Sequence, residues 1–224
     1  MTKLKITLIS ILASAVMTVS SYSMEFKIGL SAGFAAIEAG GTETLKDTSV
    51  VTSHTEQANA VIPSIFIEVA MDNGFGIGLD SVTGSADLAG SAHTRTNVAD
   101  LAPDDAGTQS AQAEVKSIRT AYLIKQFQNG LLVKFGSATA DVNTLETLAT
   151  GTAYGNVSVD GTHAGIGYQT ISDNGLFFRA TVENTNFDTI SLTGSQVGGT
   201  SGSFNVIKAD VDVQMAKFSI GKSF

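Results

Sequence analysis

The tripeptide Asp72-Asn73-Gly74 recurs as Gln128-Asn129-Gly130 and as Asp173-Asn174-Gly175, each time followed by an apolar residue, Phe75, Leu131 or Leu176. Asn-Gly tolerates the positive φ angles of a type I′ turn, so each copy predicts a tight β-hairpin. Period-two alternation flanks every copy, which is the pattern of a strand with two unlike faces. Before the first turn Ile65, Ile67, Val69 and Met71 alternate with Ser64, Phe66, Glu68 and Ala70; after it Phe75, Ile77 and Leu79 alternate with Gly76, Gly78 and Asp80. Around the second, Ile118, Thr120, Tyr122 and Ile124 are set against Ser117, Arg119, Ala121 and Lys125, then Leu131, Val133 and Phe135 against Lys134 and Gly136. Around the third, Ala164, Ile166 and Tyr168 oppose His163, Gly165, Gly167 and Gln169, and Leu176, Phe178, Ala180 and Val182 oppose Arg179, Thr181 and Glu183. Residues 25–37 and 211–224 alternate in the same way, which brings the strands to eight.

The connections between hairpins are long, at about 39–61, 84–115, 140–161 and 184–205, and rich in Thr, Ser, Ala, Gly and acids. Loops beyond about 12–15 residues are uncommon in compact soluble domains. Regular alternation of tight turns and long loops is instead the plan of a bacterial outer-membrane barrel, with turns on the periplasmic side and loops outside. Charged residues make up 15% of the chain, against about 25% for a soluble domain. The fold expected is all-β: an eight-stranded antiparallel up-and-down transmembrane β-barrel. A soluble barrel with its apolar face inside has the same alternation. The inner faces here are mostly Gly, Ser and Ala, which suits a narrow lumen better than a wetted exterior, and strands of about nine residues match a tilted membrane strand.

The first residues read as an export signal. Lys3 and Lys5 precede an apolar run from Ile6 to Val19, followed by small residues at Ser21 and Ser23. That run is too short for a bilayer-spanning helix, which takes about 20 residues. Residues 1–23 are therefore expected to be removed, leaving residues 24–224 as the barrel. Mass analysis of the N-terminus of membrane-purified protein should find Met24 first; a retained Met1 would refute this.

Composition excludes several chemistries. The chain has no Cys, hence no disulfide, thiolate metal site or Cys nucleophile. Its net charge of −8 disfavours a nucleic-acid partner. Loop acids, including Pro103-Asp104-Asp105, could weakly capture divalent cations, but no loop has EF-hand spacing, so no metal or cofactor is expected. His54 and His93 fall in loops, and His163 falls on the inner face near the outer rim. None stands in a positioned catalytic constellation, so no enzymatic activity is expected.

The C-terminal strand, Ala216-Lys-Phe-Ser-Ile-Gly-Lys-Ser-Phe224, ends in Phe with apolar residues at alternate positions. With the hairpin pattern, it resembles the small eight-stranded outer-membrane barrels, the OmpA-transmembrane, OmpX and opacity-protein group, over residues 24–224. The resemblance implies that Phe218, Ile220 and Phe224 form the signal read by the barrel-assembly machinery, with Lys222 a departure from the usual apolar pattern. It implies residence in the outer membrane of a Gram-negative bacterium, amid lipid and lipopolysaccharide, after escort by periplasmic chaperones; a monomer is favoured. Phe26, Phe75, Phe127, Tyr168, Phe178, Phe218 and Phe224 are expected to form a periplasmic aromatic belt without Trp. No length remains for a peptidoglycan-binding domain.

By alternation the lumen should hold Lys27, Arg119, Lys125, Lys134, Arg179 and Lys217 against Glu68, Asp80 and Glu183. Buried charges must pair, and eight strands leave little room, so the charges are expected to fill the barrel as an ion-pair network. The alternative is a narrow porin-like path for small solutes. The function expected is a structural and surface-interaction role in the envelope.

Overall fold

The computed structural model describes residues 24–44, 51–87, 93–97, 107–145, 147–148, 153–197 and 204–224. The leader expected over residues 1–23 and the acidic Asp104-Asp105 pair lie outside them. The strands are β1 (Met24–Thr44), β2 (Val51–Met71), β3 (Phe75–Val82), β4 (Ser85–Asp87), β5 (His93–Asn97), β6 (Gly107–Ala111), β7 (Ala113–Gln126), β8 (Leu131–Thr144), β9 (Thr147–Leu148), β10 (Val157–Ile171), β11 (Leu176–Phe187), β12 (Ile190–Val197) and β13 (Phe204–Ser223). Eight of them follow one another antiparallel as β1-β2-β3-β7-β8-β10-β11-β13, and β13 pairs back onto β1. The sheet is a closed up-and-down barrel. Closure runs from Lys27 opposite Ser223 to Thr44 opposite Val206. Below it Phe26 and Phe224 exchange backbone hydrogen bonds of 3.2 and 2.8 Å.

The three hairpin turns are alike, but they are not type I′. In the first, Gly74 N–H donates to the Met71 carbonyl at 2.8 Å and Gly74 alone has a positive φ, +81°, whereas type I′ needs two such residues. Three residues form the loop, closed by glycine in the left-handed region, and the Asn73 side chain accepts from Phe75 N–H at 3.0 Å. Asn129 and Asn174 repeat that bond, and Gly130 and Gly175 repeat the positive φ. Each turn is also tied to the next hairpin, because the Gly74, Gly130 and Gly175 carbonyls accept from Gln126, Gln169 and Ser223.

Polarity inverts along the strands. Low on β8, Leu131, Val133 and Phe135 face out while Lys134 is buried; higher up, Ser137, Thr139 and Asp141 face out while Ala138, Ala140 and Val142 are buried. On β13 the outward residues change from Phe218 and Ala216 to Gln214, and the buried ones from Lys217 to Val213 and Val211. On β1, Phe34 is the last large apolar residue outside, and Ile37 packs inside. The lower barrel is thus apolar outside for lipid, and the upper part is built like a water-soluble protein. Among the described residues, the predicted long loops are therefore largely strand, with β1, β2, β8, β10, β11 and β13 running on into them. They read as loops because small Thr, Ser, Ala and Val side chains alternate weakly there, with the faces exchanged.

The seven residues of the expected aromatic belt are all exposed. Ile67 and Ile166 are exposed within the apolar band. Arg at either should destabilise the barrel by about 2–4 kcal/mol if it lies near mid-bilayer. Urea unfolding in vesicles reads this; unchanged stability at both positions would mean that the band does not face lipid.

Candidate functional site: the lumen

Inward glycines make room for inward rings. Gly29, Gly78 and Gly221 stand directly across the ladder from Phe66, Tyr122 and Phe177. A Cβ at Gly78 would lie 2.4 Å from the Tyr122 ring, so only glycine lets that ring lie over the neighbouring strand. Phe66 and Phe177, whose centroids are 6.1 Å apart and whose planes are tilted by 51°, both lie against the Arg179 guanidinium, at 4.9 and 5.4 Å from its carbon to the ring centroids. Stacking of this kind suits the planar, weakly hydrated guanidinium.

Arg179 on β11 reaches Glu68 on β2 through two hydrogen bonds of 2.6 Å, a bidentate pair spanning the lumen. Glu68 is 1% exposed and Arg179 3%. Tyr122 donates to Glu68 at 2.7 Å, and Gln169 accepts from Arg179 at 2.9 and 2.7 Å. Just above, Glu183 accepts from Lys134 at 2.9 Å and Thr181 at 2.9 Å and pairs with Lys217 at 3.2 Å. Lys217 also donates to Asp80 at 3.0 Å, which in turn accepts from Ser64 at 3.2 Å. Near the periplasmic end Lys27 pairs with Glu25 and donates to Gln126, both at 3.0 Å. Every buried charge in this set has an opposite partner, as a low-dielectric interior demands.

Above the charges, buried apolar residues, among them Ile37, Ile62, Val142, Phe187 and Val213, form a cluster across the barrel. Between the two layers lies a cavity of about 20 Å³ lined by Asp80, Thr120, His163, Glu183 and Lys217, among others. That is room for about one water molecule. His163 Nδ1 meets the Thr185 hydroxyl at 2.9 Å, and Nε2 lies 3.9 Å from Glu183. Among the described residues no group of His, Asp and Glu is arranged to hold a metal ion.

The chain aligns with the outer membrane protein OprG of Pseudomonas aeruginosa over 91% of its length and 97% of that chain, at 14% identity and a TM-score of 0.55. It aligns with the Escherichia coli outer membrane protease OmpT over 92% and 99%, at 9% identity and a TM-score of 0.53. The attachment invasion locus protein Ail of Yersinia pestis, in complex with the heparin analogue sucrose octasulfate, matches over 90% and 99% at 11% identity, with a TM-score of 0.46. The fold is that of the outer-membrane β-barrels. No protein-family model and no curated protein sequence matches the chain.

Within that barrel, Lys27, Glu68, Asp80, Lys134, Arg179, Glu183 and Lys217 lie in the lumen. Two residues assigned to it by alternation do not. Arg119 is exposed on the outside of β7, and Lys125 lies at the periplasmic rim, 4.2 Å from the Phe75 ring centroid and donating to the Asn73 carbonyl. The faces of β7 are exchanged relative to the sequence reading: Thr120, Tyr122 and Ile124 point in, Ala121 and Leu123 out. Both faces mix polar and apolar residues, so alternation alone is ambiguous there. The neighbouring strands decide it, since Leu123 stands beside outward Ile77 and Phe135. That exchange is why Tyr122 went unassigned to the network. His54 and His93, expected in loops, fall on β2 and β5.

Proposed function

We propose that this protein is a non-conducting, non-enzymatic outer-membrane barrel whose role is structural and at the cell surface. The observation that carries the reading is the double closure of the lumen, by a fully paired charge layer and an apolar layer above it. The His163–Thr185 pair is buried beneath that apolar layer, shielded from solvent. What the molecule offers outside is a sheet. β1 continues ten residues past Phe34, about 33 Å of strand, flanked by β2 and β13. Among the described residues, β2 pairs with β3 only from Ser64 onward, so Val51–Ile62 has an edge without a strand partner. Unpaired backbone groups in such a row can receive an added strand from another protein.

The reading is tested in cells. Trimming the β1–β2 hairpin above Phe34 to a tight turn should abolish surface adhesion while leaving uptake of small solutes unchanged. Unchanged adhesion with reduced uptake would favour passive diffusion through the barrel instead.

Phe218, Ile220 and Phe224 all face outward on the closing edge, and we assign them to recognition by the barrel-assembly machinery. A Phe224→Ser chain should accumulate in the periplasm, seen as a loss of folded protein from outer-membrane fractions; normal assembly would refute the assignment.

A further inference from the structure

The outside of β7, β8 and β10 has a feature that a plain barrel wall lacks. Between Lys116, opposite Asp141, and Arg119, opposite Thr139, the β7–β8 register shifts by one residue. Ser117 and Ile118 together face only Ala140, and Ser117 takes a φ of +53°. This β-bulge costs strain, because non-glycine residues seldom adopt that region. Its geometric effect is specific. Lys116 and Arg119 are three residues apart, so in a regular strand they would face opposite sides; the bulge turns both outward while Ile118 packs against the apolar cluster.

Above Arg119 the bulge borders an open groove of about 370 Å³ walled by Lys116, Ser117, Asp141, Asn143, Asn156 and Ser158, with Val157 the apolar residue among them. Lys116 pairs with Glu114 at 2.7 Å, Ser158 donates to Asp141, and the Asn156 carbonyl oxygen accepts from Thr144 N–H. The Asn143 amide, the Asn156 amide N–H groups, the Ser117 hydroxyl and the second Asp141 oxygen keep both donors and acceptors for sugar hydroxyls. Arg119 is exposed and, among the described residues, makes no ion pair. Below it on the outer wall come Ala121 and Leu123, with Phe135 beside Leu123. From the bilayer upward the wall therefore presents apolar surface, then a free guanidinium, then a sugar-compatible groove.

We infer that this face binds a phosphorylated glycolipid of the outer leaflet, with Arg119 on a phosphate and the groove on the saccharide above it. Arg matches phosphate oxygens in a bidentate geometry, and the edge of the bilayer is where a glycolipid phosphate lies. An acyl chain then runs down past Leu123 and Phe135.

The test uses the purified full barrel in detergent with lipopolysaccharide carrying its core sugars, read by native mass spectrometry. Mobility of unheated protein on gels controls for folding. Arg119→Ala should weaken binding about tenfold, the loss of a charge-assisted contact. Dephosphorylated lipopolysaccharide should bind the unaltered protein with the same loss and should not distinguish it from Arg119→Ala. Lys208→Ala removes an exposed cation on β13 and should change nothing. The proposal falls if Arg119→Ala binds as tightly as the unaltered protein, or if Lys208→Ala loses as much. It also falls if soluble core oligosaccharide binds as tightly as the intact glycolipid, which would make the groove a receptor for free glycans.

Discussion

Replacing Glu183 with Gln should lower the unfolding free energy of the barrel by about 3–5 kcal/mol, the cost of leaving a buried cation without its counter-charge. Glu183 is the acid that holds Lys134, at 2.9 Å, and Lys134 has no other carboxylate within ion-pair distance among the described residues. Lys217 loses less, because Asp80 stays 3.0 Å away. The neighbouring substitution Asp80→Asn should therefore cost less, about 1–3 kcal/mol, since Lys217 keeps Glu183 at 3.2 Å. If water filled the lumen, all these charges would be solvated, and Glu183→Gln would cost under about 1 kcal/mol while shifting ion selectivity toward anions. Urea unfolding in lipid vesicles and planar-bilayer conductance, run on both chains, separate the cases. A silent wild type and a destabilised variant are expected. A steadily conducting wild type with an equally stable variant would sink the closed-lumen reading.

How far the sequence exposes this architecture depends on how sharply two faces differ. On β8 and β11 large apolar residues alternate with Lys134, Arg179 and Glu183, and the lumen side is legible from the residues alone. On β7 the inner set is Ile118, Thr120, Tyr122 and Ile124 and the outer set Arg119, Ala121, Leu123 and Lys125, so neither face is cleanly polar. There the decision is made by register against β3 and β8, and by the one-residue shift at Ser117. Both depend on pairing partners distant in sequence. The upper barrel is hidden for a related reason. Its Thr, Ser, Ala and Val residues alternate with the opposite sense from the lower barrel, so a single inside–outside rule applied along a strand fails above the bilayer. The turns were legible as turns from Asn-Gly. Their type was not, because one glycine in the left-handed region serves a three-residue loop as readily as a two-residue one.

An equally large effect should come from the Glu68–Arg179 pair, and a double substitution shows why. Glu68→Met leaves Arg179 with Gln169 and two rings beside it but no counter-charge, and should cost about 3–5 kcal/mol. Arg179→Met leaves the Glu68 carboxylate with the Tyr122 hydroxyl as its remaining partner, and should cost about as much. Replacing both with Met removes the two charges together and leaves flexible apolar side chains beside Phe66 and Phe177, in space that is already shielded from water. Buried ion pairs exchanged for apolar groups of similar volume are often neutral or stabilising, so the double variant should recover most of the lost stability. The coupling energy, the loss in the double variant minus the two single losses, should then be about 5 kcal/mol or more in magnitude, above the roughly 0.5–3 kcal/mol usual for neighbouring residues. Its conductance should stay silent, because the apolar cluster above the charges is untouched. Unfolding midpoints of the four chains in vesicles, analysed as a double-mutant cycle, give the answer. Additive losses, with the double variant the least stable of the four, would mean that the two charges do not depend on each other and that water reaches the middle of the barrel.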